Sequence, residues 1–283
     1  MDYRILGPLE VFDGERRLAL GGTRQRAVLA LLLILGHLVA KGASSLDWSF
    51  FTKNPVPAGT SGGGVANAIV GTAIVVGGAA LIGLPIGIGT GLYLAEYGSG
   101  RLGWVVRFVA DVLNGTPSIV IGIFAWTWLV KPMGHFSALA GSVALAGLMV
   151  PMLARTTEEM VRLVPHSLRE AALALGYARW RTSLRVVART ALAGIVTGCL
   201  VGIARVAGET APLLFTALGN LNFSTSVLQP MQTLSLQIFT YGTGPFDEWH
   251  RLAWAAALVL MGLVLVLALA ARWALRSRHG AAR

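Results

Sequence analysis

Five stretches of this chain, residues 54–95, 112–130, 132–154, 210–246 and 252–271, contain no Asp, Glu, Lys or Arg. A helix needs about 20 apolar residues to cross about 30 Å of hydrocarbon. Uncharged runs this long, with a mean hydropathy of +0.68, point to a bilayer rather than a water-facing surface. Charged residues make up 13% of the 283, against about 25% in soluble domains. The 55% apolar content excludes a disordered chain, and the single Cys199 excludes a disulfide scaffold. The sequence therefore predicts an all-α polytopic membrane protein with about six transmembrane helices. They are expected near residues 27–44, 67–95, 105–130, 137–154, 187–216 and 252–272. The second and fifth are long and Gly-rich, and are expected to tilt, kink or extend beyond the bilayer.

Basic residues give the orientation. Arg4, Arg16, Arg17, Arg24 and Arg26 precede the first span, and Arg101 and Arg107 follow the second. Arg155, Arg162, Arg169, Arg179, Arg181 and Arg185 follow the fourth, and Arg272, Arg276, Arg278 and Arg283 close the chain. The opposite segments hold only Lys41, Lys53, Lys131 and Arg251. Both termini are thus expected in the cytoplasm, and the +10 charge needs no nucleic acid to explain it. The first span is short: Ala27–Ala40 gives about 21 Å of helix. It crosses only by continuing through Gly42–Ser44 with Lys41 snorkelling. A cleaved signal peptide is the alternative, although no convincing small-x-small site follows.

The basic loop 155–185 carries Ser167-Leu-Arg-Glu170-Ala171-Ala172, with Gly176 beyond. Ser167-x-x-Glu170 has the spacing of a capping box, and Gly176 suits a left-handed helix end. A short helix rich in Ala grips a bilayer poorly and offers a protein-docking surface instead.

Glu170-Ala171-Ala172-x-x-x-Gly176 resembles the EAA loop of ABC-importer permeases. The stretches Leu113–Gly122, Glu170–Leu214 and Ala204-Arg-Val-Ala-Gly-Glu209-Thr-Ala-Pro-Leu-Leu214 resemble the permeases of phosphate-specific (Pst) importers over about residues 31–275, the A-type more than the C-type. The general permease pattern continues with Ile-x-Leu-Pro ten residues beyond the glycine. This chain instead has Val186, Ala188 and Arg189. The resemblance implies a type I ABC-importer permease that takes inorganic phosphate into the cytoplasm by alternating access. Ser167, Glu170, Ala171, Ala172 and Gly176 would then dock the ATPase. Implied partners are ATPase subunits, a homologous second permease and a periplasmic or lipid-anchored phosphate-binding protein. No cofactor is expected in this chain, because no Walker-type motif is present and ATP would be bound by a partner subunit. Other readings are a permease for sulfate or molybdate, a membrane-tethered regulator, and an inactive truncated subunit.

Arg205 and Glu209 fall inside the expected fifth span at i and i+4, on one helix face. A charge at mid-membrane costs about 2.5–3.5 kcal/mol on insertion scales. The two either neutralise each other and hold a packing register, or Arg205 attracts the anion while Glu209 tunes it. A guanidinium suits phosphate because its fork donates two parallel hydrogen bonds. Pro117 is expected to kink the third span. Asn114, Thr116 and Ser118 then either satisfy the kink locally or line a pathway. Arg107 and Asp111 are expected to pair at the interface, and Glu96 to anchor there or contact a loop. The five histidines lack metal-ligand spacing. The segment 217–250 is expected to face the periplasm, where a binding protein would meet it.

Residues 1–26 read as a separate cytoplasmic leader before the permease, 27–283, whose core is about 65–275. Tyr3–Phe12 alternates like a strand, Asp13-Gly14 turns, and Thr23 stands where a helix cap would. Tyr3–Val11 with Leu20–Ala27 resembles the opening of AfsR/SARP-type transcriptional regulators. The recognition helix of that family is absent, so DNA binding is not expected.

Overall fold

The computed structural model describes residues 2–4, 10–13, 16–18, 23–57, 60 and 62–279. Three short strands, β1 (Asp2–Arg4), β2 (Glu10–Asp13) and β3 (Arg16–Leu18), form an antiparallel sheet in that order. Asp13 pairs with Arg16, as a tight turn after Asp13 requires; Gly14 itself lies outside the described residues.

From Thr23 onward the described chain is helical. α1 (Thr23–Gly42) leads through a short 3-10 turn to α2 (Trp48–Thr52) and the long α3 (Ala66–Glu96). α4 (Arg101–Gly115) and α5 (Ser118–Ala125) follow, and α5 runs through a π-helical stretch into α6 (Lys131–Met133). α7 (Ala138–Arg162) leads to the short α8 (His166–Ala174). α9 (Arg179–Arg181), a π-helical stretch Thr182–Val187 and α10 (Ala188–Ala207) make one rod. α11 (Ala211–Leu214), α12 (Leu234–Gly242) and α13 (Asp247–His279) complete the fold.

Five rods are long and apolar enough to cross a membrane: Gln25–Ser45, Ala66–Glu96, Ala138–Arg162, Arg179–Ala207 and Asp247–Trp273. The pair Arg101–Gly115 and Ser118–Met133, which meet at 105°, makes a sixth where it acts as one broken span. The expected third span, 105–130, is therefore turned through a corner rather than kinked. Thr116 explains it: a residue before proline is pushed out of the helical region, and Thr116 has ψ 133°. Its hydroxyl donates to the Val112 carbonyl at 2.7 Å, which helps satisfy the end of α4.

The fifth span also differs from the expected 187–216. It begins at Arg179 and stops at Ala207. Pro212 has no N–H with which to pair the Gly208 carbonyl, and glycine itself is a weak helix former. The chain breaks between the two and restarts as α11. The fourth span, likewise, does not end at 154 but continues to Arg162, so the true interhelical loop is shorter than 155–185.

α3 and α7 run parallel and supply the core. Along α3, Gly78, Gly83, Gly87 and Gly91 face Ser142, Met149, Leu153 and Thr157 of α7 in register. Lipid offers no hydrophobic drive for helix pairing, so close backbone approach through small residues does that work. The Ser142 hydroxyl adds a hydrogen bond to the Val75 carbonyl at 3.0 Å. Val75, Leu145, Met149, Leu153, Val206 and Leu213 fill the buried centre. A second cluster around Phe50, Val65, Leu234 and Ala256 seals one end of the bundle, and a third around Val161, Val187 and Ile195 the other. α1 rests against α13, with His37 edge-on to Trp254 at 5.3 Å.

Candidate functional site

α10 runs antiparallel to α7: Gly194 faces Met160, Gly198 faces Thr156 and Gly202 faces Leu153. Arg205 then meets Met152, its guanidinium 3.8 Å from the thioether sulfur. Met152 is the fifteenth residue of α7, about 21 Å from one end of that helix and about 15 Å from the other. Arg205 is thus a cation at mid-depth, exposed on this subunit, in the last turn of α10 where a helix end favours positive charge.

Glu209 is not its partner. Because α10 ends at Ala207, the two do not share a helix face, and no ion pair joins them among the described residues. The Glu209 backbone is instead fastened locally: its N–H donates to Val206 and its carbonyl accepts from the Ser235 hydroxyl at 3.0 Å. Asn114, Thr116 and Ser118 cluster at the 105° corner, Asn114 exposed and the other two half-buried. No hydrogen bond connects them to Arg205 among the described residues. The corner nevertheless approaches the second break, because Gly122 of α5 packs against the Pro212 backbone of α11.

Toward the far end of α7, the expected Arg107–Asp111 pair is replaced by a network between helices. Arg107 donates to Glu158 at 2.7 Å, while Arg155 bridges Asp111 at 2.9 Å and Glu158 at 3.1 Å. Arg162 also reaches Glu158, at 2.6 Å. Glu158 is only 2% exposed, so a single buried carboxylate gathers three guanidinium groups. In-helix spacing defeated the expected pair because α7 offers Arg107 a buried acceptor, whereas Asp111 is more than half exposed. Sequence reading missed Glu158. The signal was there, since Arg155, Glu158 and Arg162 stand at i, i+3 and i+7, but assigning 155–162 to a loop hid it.

α8 is the two-turn helix expected from Glu170, Ala171 and Ala172. The capping box does not form: Pro165 occupies the cap and Ser167 makes no side-chain cap hydrogen bond. Leu168 N–H bonds to the Pro165 carbonyl instead, since a proline cap with ψ 140° already starts the helix. The far end is as expected. Gly176 adopts φ +83°, and Tyr177 N–H closes onto Ala172, a left-handed end that glycine supports. Ala172 is buried, whereas Ser167, Glu170 and Ala171 are exposed, and Glu170 has no ion pair or hydrogen bond through its carboxylate among the described residues. Leu168, Leu173, Leu175, Tyr177 and Trp180 are exposed around it. An accessible carboxylate ringed by apolar side chains has the make-up of a surface that a protein could cover. Glu96, as expected, makes a loop contact: it accepts from Arg169 and Ser183, each at 3.0 Å. Among the described residues, no group of His, Cys, Asp and Glu is arranged to hold a metal.

Bent and broken helices around a mid-depth cation suit a membrane transport permease, and comparison with known proteins agrees. The family model for the binding-protein-dependent transport system inner membrane component matches residues 87–278. The chain is 48% identical over 245 residues to the phosphate transport system permease protein PstA of Yersinia pestis, covering 86% of this chain and 82% of that protein. It is 39% identical over 251 residues to PstA 1 of Mycobacterium tuberculosis, covering 87% and 82%. Among solved structures, the fold matches the inward-facing MetNI methionine ABC transporter with TM-score 0.64 at 19% identity, covering 75% of this chain and 94% of that one. A bacterial alginate ABC transporter matches with TM-score 0.63 at 14% identity, covering 87% and 90%. The chain belongs to the PstA family of phosphate transport permeases. It is the multi-pass inner-membrane component of a binding-protein-dependent ABC importer, a transport subunit rather than an enzyme. These matches lend nothing to the regulator-like reading of the leader.

Proposed function

We propose that this permease passes inorganic phosphate inward past Arg205, driven by ATP bound and hydrolysed in partner subunits docked on α8. The observation that carries the reading is Arg205 itself, an exposed mid-depth cation without a carboxylate partner. Such a charge costs several kcal/mol in lipid, so it makes physical sense on a wetted face that an anion visits. Its fork can donate two hydrogen bonds to one oxyanion, and the side chain is exposed on this subunit. Asn114, Thr116 and Ser118 would supply neutral donors at the adjoining corner, and Glu209 would lie on the entry side of the anion rather than on the guanidinium.

The remaining partners follow from the same surfaces. A homologous second permease would close the open side of Arg205 and complete the pathway. A periplasmic or lipid-anchored phosphate-binding protein would deliver to the segment between α11 and α12. ATPase subunits would seat α8 through Glu170, Ala171 and Ala172. Both termini would be cytoplasmic, as the basic residues at the ends of the spans require. Alternation would turn on the two breaks, at Pro117 and at Gly208–Pro212, where rigid rods meet.

Uptake of labelled phosphate into vesicles containing the assembled system tests the substrate. Phosphate accumulates only with ATP, and a hundredfold excess of sulfate or molybdate leaves most of it intact. Suppression by sulfate or molybdate to the degree given by unlabelled phosphate would reassign the substrate to those oxyanions.

A further inference from the structure

The carboxylate of Glu96 is the point at which four helices meet. It ends α3, and one of its oxygens accepts from Arg169 of α8 at 3.0 Å. Its other oxygen accepts from the Ser183 hydroxyl, on the π-helical stretch that begins the fifth span, at 3.0 Å. The same Arg169 guanidinium turns its remaining donors on the end of α7, bonding the Val161 carbonyl at 2.9 Å and also the Val164 carbonyl. Val161 stands in the last turn of α7 and Val164 two residues beyond it, where carbonyls lack the regular helical partner; the Val161 carbonyl also accepts from the Val164 N–H at 3.2 Å. Arg169 and Glu96 are 16% and 12% exposed, so water competes little for either. Side chains of α8 otherwise project mostly into the cytoplasm, with Ala172 the buried exception.

We infer that the Arg169–Glu96–Ser183 linkage is the rigid joint that carries motion of α8 into the three membrane rods α3, α7 and α9–α10. The inference rests on the docking reading of α8. A short helix hinged only by its flanking loops would yield locally when a partner pushed it. A guanidinium fixed at once to two helix ends, with its carboxylate also tied to a third rod, converts that push into displacement of the bundle. The π-helical stretch Thr182–Val187 suits this placement, since such wide turns mark positions where a helix changes pitch. Arg169 and Glu96 are positioning residues here: neither faces Arg205 or the phosphate route.

The test uses the full complex with its ATPase and second permease in proteoliposomes, reading ATP hydrolysis and phosphate uptake together. Glu96→Gln keeps the ATPase bound and its hydrolysis within twofold of wild type, while phosphate moved per ATP falls at least tenfold. Ser183→Ala lowers that ratio two- to fivefold. The exchange Glu96→Arg with Arg169→Glu restores at least a third of it, which a loss of folding would not allow. A wild-type ratio in Glu96→Gln, or a parallel fall of hydrolysis and uptake that the exchange fails to rescue, overturns the inference. Glu170→Arg separates the two ideas. If the ATPase still co-purifies fully with that variant, docking on α8 fails, whatever Glu96→Gln does to the ratio.

Discussion

Arg107 of α4 donates from Nε to Oε1 of Glu158 in α7 at 2.7 Å, across 51 positions of sequence. The rest of its guanidinium bonds the Gly98 and Leu94 carbonyls, each at 2.8 Å, at the end of α3. One side chain thus binds three helices, and it does so because a helix end leaves carbonyls open while Glu158 is almost wholly buried. This is the polar counterpart, at the helix ends, of the glycine-lined contact between α3 and α7.

Glu158→Gln removes the charge that three arginines share and leaves them facing one another. Breaking a buried pair from one side costs about 3–5 kcal/mol. Because all three guanidinium groups retain some water, the lower end of that range applies. The melting temperature in detergent falls by several degrees, and Glu158→Asp recovers part of it. A melting temperature equal to wild type in Glu158→Gln would show that the network carries no stability.

Close approach of α3 and α7 predicts opposite fates for two glycines on one helix. A Cβ at Gly87 lies 2.6 Å from Leu153 Cβ and 3.2 Å from the Val150 carbonyl. Gly87→Ala therefore forces the rods apart, at about 1–3 kcal/mol. Gly77 has nothing within 4 Å, so Gly77→Ala stabilises the helix by about 0.5–1 kcal/mol. Thermal unfolding of both variants in one detergent decides between them.

Asp47 caps α2 outside the membrane-spanning rods. Hydrogen bonds from the Ser49 hydroxyl and the Phe50 amide, at 2.7 Å each, hold its carboxyl below the usual carboxylate range. Its folded value is depressed, so the cap is fully formed above the ordinary carboxylate pKa of about 3.9 and is lost as pH falls through the lower folded value. Protection of the Phe50 amide against exchange, relative to an unstructured peptide at the same pH, is accordingly constant from pH 5 to 8 and falls only in stronger acid. Asp47→Ala shows fast exchange at every pH, and a wild-type rate there would refute the cap.

Much of this architecture was legible in the sequence because bilayers impose a simple rule on length and charge. The uncharged runs marked α3, the bent pair, α7 and α13, whereas 210–246 holds only the short α11 and α12, and Gly176 ended α8 where its backbone freedom was needed. What escaped was set by neighbours in space. Thr116 and Pro117 announced a bend, but only packing of α5 on α11 makes it a right-angled corner. Arg205 was visible as a costly charge, whereas its separation from Glu209 depends on Pro212, three residues further along. Helical spacing suggested Arg107 with Asp111, yet Glu158 wins through burial, which no local pattern reports. Ser167 and Glu170 had the capping-box spacing, and Pro165 took the position first.

The role of Arg205 is tested most directly by ATP-driven phosphate uptake in proteoliposomes carrying Arg205→Gln, with ATPase co-purification and hydrolysis measured on the same sample. Removing the mid-depth fork leaves assembly and hydrolysis within twofold of wild type and lowers uptake at least a hundredfold, while Arg205→Lys keeps a measurable fraction because the charge remains. Wild-type uptake in Arg205→Gln would contradict a phosphate route past this residue.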